Sequence, residues 1–267
     1  MAAEPGSPPD GQAVTADPLP EALALAEAAA RSGVGLKLLG GLAVRVLTPD
    51  LPPRLSAGQD MDFGCLSKGR KAAAAFLEDS GCVPDRRFNG LNGDRQMYFT
   101  APSGRPVDVM VDRLSMCHVL DFRPSFAALP YTLGAVDILL SKLQIVELNE
   151  KDARDILQLL AGLPVSGAGQ DDRAAGDGPS LDGARFGQLL AADWGWWRTV
   201  TGNLAKLPAI AAGNPALVPA RSPYDPLAQA TRLAGLAESV PKGMKWKMRA
   251  NIGDRVRWYE LPEEVGH

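Results

Sequence analysis

Residues 36–47, LKLLGGLAVRVL, constrain this chain more than any other stretch. An apolar run of strand type stops at two adjacent glycines and restarts as an apolar segment of helical type. Glycine has no Cβ, so a backbone turning at Gly40 and Gly41 leaves its N–H groups open to an anion. The positive end of the following helix adds to that attraction. The pair is therefore a candidate phosphate seat; the plainer reading of the same residues is a tight turn. Shortly beyond, GQDMDF (58–63) sets Asp60 and Asp62 on either side of Met61 in apolar surroundings.

The elements around that turn follow from pattern. Residues 20–31 (PEALALAEAAAR) are strong helix formers, with proline in the first turn and Gly33 just past the end. Residues 35–41 predict a short buried strand, 42–47 the start of a helix, 60–66 a strand and 68–81 a helix with a glycine stop. RQMYFTA and RPVDVMVDRL, separated by PSG, predict a strand pair joined by a tight turn. Val136, Leu139, Leu140 and Leu143 have helical spacing within 133–148, and 150–162 predicts a second amphipathic helix.

Composition then shifts to Gly, Asp, Ser and Pro over 164–183, which predicts a loop or linker. Residues 184–207 predict one helix, a proline-rich turn over 214–226 precedes another, and KWKMRANIGDRVRWYELP predicts a terminal hairpin. Strands alternating with helices up to residue 148, followed mostly by helices, predict an α/β (α+β) chain. A mixed sheet with flanking helices would occupy 20–163, and a mainly helical region 184–267. Residues 1–19, rich in proline, glycine and acid, predict a disordered tail. They lack the basic and apolar regions of a signal peptide.

With 267 residues, 46% hydrophobic and 22% charged, the chain can bury a substantial core. Its formal net charge of -3 supplies no global reason to bind nucleic acid or a membrane. No run of about 18 apolar residues predicts a membrane span. A cytoplasmic protein without a membrane partner is expected. Cys65, Cys82 and Cys117 lie far apart, which excludes CxxC-type zinc spacing and predicts reduced, buried thiols.

His118 reads as a structural histidine. Trp194, Trp196 and Trp197 read as helix packing, with a base-stacking platform as the sharper alternative. Lys242, Lys245, Lys247, Arg249, Arg255 and Arg257, interleaved with Trp246, Trp258 and Tyr259, read as a solvated face, with RNA phosphate contact as the alternative.

The acids carry the chemistry. On a strand, Asp60 and Asp62 point to one side, with Cα atoms about 6 to 7 Å apart. Like charges so placed repel, and burial makes them costlier. A divalent cation relieves both problems, since hard cations take carboxylate oxygens. Asp108, in PVDVMVD, is a third acid on a later strand, and strand parity puts Asp112 on the same face nearer the strand end. The alternative is the wet side of an edge strand.

Gly40-Gly41 at a strand-to-helix turn, Asp60-x-Asp62 on the next strand and Asp108 on a later one together resemble the nucleotidyltransferase superfamily, the DNA polymerase β-like fold. Within it the chain is most similar to the abortive-infection type IV toxins and minimal bacterial nucleotidyltransferases. LLSKLQIVELNEKDARDILQLL resembles the segment after the core in those toxin-like members. By that match Lys142 and Asp155, with Asp152 beside them, become nucleotide-site residues. The resemblance covers residues 35–160 and does not reach the C-terminal region. Toxin-like members often carry an arginine and a Ser/Thr directly before the acid pair; here Arg54 and Ser56 stand further away, behind Gly58 and Gln59.

The resemblance implies Mg²⁺-dependent transfer of a nucleoside monophosphate from a nucleoside triphosphate to a hydroxyl on RNA, protein or a small molecule. Asp60, Asp62 and Asp108 would hold two Mg²⁺ ions (or Mn²⁺) about 3.5 to 4 Å apart. Gly40 and Gly41 would hold the triphosphate, and Lys142 would neutralise part of its charge. A tRNA or protein acceptor and a cognate antitoxin are partners that the toxin-like members bring into view. The alternative from a different class is a non-catalytic nucleotide-binding or partner-binding module on the same fold. Three intact acids favour the enzyme.

Overall fold

A computed structural model describes residues 17–53, 60–167 and 178–261. Most of the expected tail, the middle of the expected linker, and Arg54, Ser56, Gly58 and Gln59 lie outside the described residues. The chain is α+β. Its elements run α1 (Leu19–Arg31), β1 (Lys37–Leu38), α2 (Gly40–Leu47), β2 (Met61–Cys65), α3 (Arg70–Asp79), β3 (Val83–Pro84), α4 (Arg86–Asn92), β4 (Gln96–Thr100) and β5 (Pro106–Val111). A small hairpin of β6 (Arg113–Ser115) and β7 (Val119–Asp121) leads to α5 (Ala135–Leu143) and α6 (Glu150–Gly162). Then come β8 (Val165–Ser166), β9 (Leu181–Asp182), α7 (Gly183–Ala192), α8 (Trp194–Gly213), α9 (Pro226–Ser239) and α10 (Met244–Ile252).

Five strands form one mixed sheet in the order β1-β2-β5-β4-β3. β2 and β5 pair in parallel, and the other neighbours are antiparallel. Strand alternation does the sorting. Met61, Phe63 and Cys65 on β2, Val107, Val109 and Val111 on β5, and Met97 and Phe99 on β4 are all buried. They share one core with Ala22, Ala26 and Ala29 of α1 and with Ala73 and Leu77 of α3. The residues between them, Asp62, Asp108, Gln96 and Tyr98, look to the other face. Buried alanines four and three apart give α1 a shallow face that lets helix and sheet approach closely.

α5 and α6 pack together, and the C-terminal helices pack on them: α6 meets α9, α5 meets α7 and α8, and α9 meets α7 and α8. The core is continuous from the sheet through Leu139, Leu157 and Leu160 to Phe186, Leu204 and Leu233. β8 and β9 pair in parallel, so the expected linker is fastened at both ends.

A buried ion pair stitches the helical layers. Asp137 of α5 is 0% exposed. Arg185 of α7 donates to it from Nε at 2.8 Å and also donates to the Asp121 carbonyl at 2.8 Å. The Ser125 hydroxyl donates to the other Asp137 oxygen. At the N-terminal end Arg45 holds Asp17 with two hydrogen bonds of 2.6 Å. The Arg45 hydrogen bonds hold the Asp17 carboxyl down at about 2.

Several expectations need correction. The strand expected over 35–41 is two residues long, and Gly40 and Gly41 open α2 rather than close a strand. The helix expected over 133–148 ends at Leu143, and Asn149 starts α6, its side chain accepting from the Asp152 N–H. The helix expected over 184–207 is two helices, broken at Asp193, whose side chain accepts from Trp196 N. A short acid competes for backbone donors and so prefers a cap to a helix interior.

Among the described residues the expected terminal hairpin does not form: 244–252 is α10, and Gly253, at φ 61, is its C-terminal cap. The glycine that reads as a hairpin turn is equally a helix stop. Asp112 follows β5 at φ 62, and its carboxylate accepts from Ser67 N at 2.9 Å. That left-handed turn removes it from the acid face.

Replacing Arg185 by methionine would leave Asp137 buried without its cation. The expected loss in unfolding free energy is about 3 to 5 kcal/mol by denaturant titration. Adding Asp137→Asn should recover much of it.

Candidate active site

The register of β2 on β5 sets Asp62 opposite Asp108, and that of β5 on β4 sets Asp108 opposite Tyr98. Partners in register share a face, so these side chains form a row across three strands. Gln96, one pleat along β4, donates from its amide to both Asp108 oxygens at 2.7 Å. Asp60 sits just before β2 and is exposed. Its charge is felt at both Asp62 and Tyr98, so it belongs to the same neighbourhood.

Gly40 closes the row at the other side. The Leu39 N–H donates to the Asp62 carbonyl at 2.9 Å, which fastens the start of α2 to β2. Gly40 has φ +67, and a Cβ there would overlap Asp62 Oδ2. Glycine is thus required twice, by backbone conformation and by the carboxylate lying against it. Gly41 is buried beside it, and no side chain caps this end of α2.

The electrostatics are unbalanced. Burial, then the neighbouring Asp108 charge, push the Asp62 carboxyl up to about 7; Lys142 opposes the rise, and Asp60 adds to it. Lys142 of α5, whose charge is felt at Asp62, is clamped between Asp152 and Asp155 of α6 at 3.0 Å from each. Burial alone would lower its ammonium, but Asp155 and then Asp152 outweigh that and leave it raised. Its side chain is 16% exposed and that of Asp155 2%, so this is an interior cluster and not a surface pair.

Among the described residues no three His, Cys, Asp or Glu side chains are gathered closely enough to hold one ion as they stand. The donor chemistry nevertheless fits a hard cation. Two carboxylates face one another in register, and one is driven towards protonation by the other and by burial. A divalent ion would relieve that repulsion through oxygen ligands.

Other residues resolve plainly. The His118 Nε2 lies 2.9 Å from Thr199 Oγ1, its ring lies tilted against Trp196 with centroids 5.0 Å apart, and burial pushes it down to about 4. It is structural, as expected. The tryptophans pack: Trp194 meets Trp197 and Trp258, and Trp197 meets Trp246. Arg249, one of the expected basic residues, lies 4.4 Å over Trp194, and Arg198 lies 5.4 Å over Trp258. All three cysteines are free and buried. A cleft of about 450 Å³, lined by Arg70, Asn89, Leu91 and Asp94 among others, shares no residue with the acid row.

Sequence reasoning missed Gln96 and Tyr98. The signal was available in RQMYFTA, where both alternate with buried Met97 and Phe99, but their placement beside Asp108 needs the hairpin register. Compared with protein-family models, curated proteins and solved structures, the chain matches none.

Two measurements follow from the geometry. The folded-state value of Asp62, about 7, exceeds the ordinary 3.8. The unfolded chain therefore loses this proton first, and stability falls as pH rises between those values. In metal-free buffer Asp62→Asn should melt above the wild type once pH exceeds about 7, with the gap closing towards pH 4. Lys142→Met should cost about 3 kcal/mol in denaturant unfolding, because it removes the cation between Asp152 and the buried Asp155. Lys142→Arg should cost less.

Proposed function

We propose that this chain is a Mg²⁺-dependent nucleotidyltransferase that moves a nucleoside monophosphate from a nucleoside triphosphate to a hydroxyl acceptor. One observation carries the reading: the Asp62 carboxylate lies against Gly40 at the uncapped start of α2, with Asp108 beside it in register. A seat for an anion and a seat for a hard cation thus share an edge. The sequence resemblance described above points the same way.

In this reading Asp62 and Asp108, with Asp60 on the approach to β2, hold the metal. Bound there, Mg²⁺ supplies charge neutralisation at the phosphates and a lowered pKa at the acceptor hydroxyl. The first N–H groups of α2 receive the phosphates, which only a chain without a Cβ at Gly40 permits. Gln96 holds the Asp108 carboxylate in place, so that an Asp108 oxygen can accept the acceptor's proton. Lys142, gripped from behind by Asp152 and Asp155, offers a fixed positive charge on the Asp62 side at little ordering cost. A toxin acting on tRNA or protein under a cognate antitoxin is a special case of this chemistry. The rival, a non-catalytic nucleotide-binding module, draws on the absence of a preformed three-ligand cluster among the described residues.

The test is to incubate the purified chain with each labelled nucleoside triphosphate, Mg²⁺ and total RNA or cell lysate. Label transfer is expected, falling at least about a hundredfold in Asp62→Asn and Asp108→Asn. Gly40→Ala should lose both transfer and nucleotide binding. Nucleotide binding by the wild type without any transfer would favour the non-catalytic module.

A further inference from the structure

We propose that the outer face of α10 docks on an anionic membrane surface. Among the described residues, eight large apolar side chains are exposed, and five of them, Met244, Met248, Ile252, Val256 and Leu261, belong to this one segment. Scattered exposed apolar residues need no explanation, but a contiguous group does. A spacing of four puts Met244, Met248 and Ile252 on one side of the helix; Val256 and Leu261 are exposed in the segment that follows it. Met244 is 74% exposed and Met248 63%.

This is not a core face left loose, because the opposite face is already fastened. Trp246 Nε1 donates to the Leu190 carbonyl at 3.0 Å. Arg249 lies over Trp194 and donates to the carbonyls of Gly253 and Val256 at 2.8 and 2.6 Å. The helix is held by one side and presents the other.

Charge selects the occupant. Residues 242–257 carry six basic side chains against the single acid Asp254, in a chain whose formal net charge is -3. Lys245 and Lys247 border the apolar stripe and, like Arg255, are exposed. Asp254 is taken by Arg198. An apolar line bordered by lysines matches a bilayer surface, where apolar side chains enter the acyl boundary and ammonium groups reach anionic headgroups.

Nucleic acid fits less well. Its stacking partners would be the aromatic rings, yet Trp194 is buried, and Lys242 and Arg198 already lie over the rings of Trp246 and Trp258. The side left to solvent is aliphatic. The chain's net charge hides this property, because six of its 28 basic residues fall within sixteen positions. Nothing here depends on the nucleotidyltransferase reading.

The experiment is co-sedimentation of the full chain with vesicles of phosphatidylcholine alone and with added phosphatidylglycerol, alongside a homopolymeric RNA binding assay. Salt-sensitive binding to the anionic vesicles is expected, at least tenfold above the neutral ones. It should be lost in Met244→Ser/Met248→Ser/Ile252→Ser and in Lys245→Glu/Lys247→Glu/Arg255→Glu. Both variants should keep the wild-type melting temperature, since α10 has no buried residue. Equal recovery with and without anionic lipid, undiminished binding by either triple variant, or retention of RNA but not vesicles would overturn the proposal.

Discussion

Asp62 and Asp108 stand opposite one another because β2 runs parallel to β5 in a register that pairs them. Two carboxylates so placed repel, and the surroundings of the candidate site answer that repulsion. Asp62 lies against the start of α2, where the helix presents its positive end. Asp108 takes two hydrogen bonds from Gln96. The Lys142 ammonium supplies an opposing charge from the far side. The row still leaves Asp62 poised near neutrality, which is where a site that exchanges a proton for a cation would be set.

The same economy of charge recurs away from the acid row. Lys142 between Asp152 and Asp155, and Arg185 on Asp137, are buried clusters that join α5 to α6 and α5 to α7. Such pairs specify a geometry more than they stabilise it, because desolvation offsets much of their attraction. Here they keep α5 and α6 in position behind the sheet. The helices after residue 183 complete that layer, so the C-terminal region is continuous with the core that carries the candidate site.

Much of the site was legible as residue types. The Gly40-Gly41 break, the Asp60-x-Asp62 pair and Asp108 on a later strand are visible in the chain, although Asp60 stands just before β2 and not on it. What was not legible is which residues stand next to which. Asp112 reads as a fourth acid on the same face, yet one left-handed residue turns it into a cap for the segment before α3. Lys142 reads equally well as a surface lysine paired at small benefit, whereas the packing of α6 buries it between two acids. Gly253 reads as a hairpin turn and is a helix stop.

Local chemistry therefore determined the elements: alternating burial on β2, β4 and β5, the alanine face of α1, and Asn149 and Asp193 as helix starts are all written in short stretches. Tertiary structure decided the register of β2 on β5, the approach of Gln96 to Asp108, and the side from which Lys142 arrives. The physical reason is range. Propensity and capping act over a few residues, while the interactions that charge, orient and desolvate the acid row join residues about 12 to 80 positions apart, as Gln96–Asp108, Gly40–Asp62 and Asp62–Lys142 do. Those distances are closed only when the whole core packs.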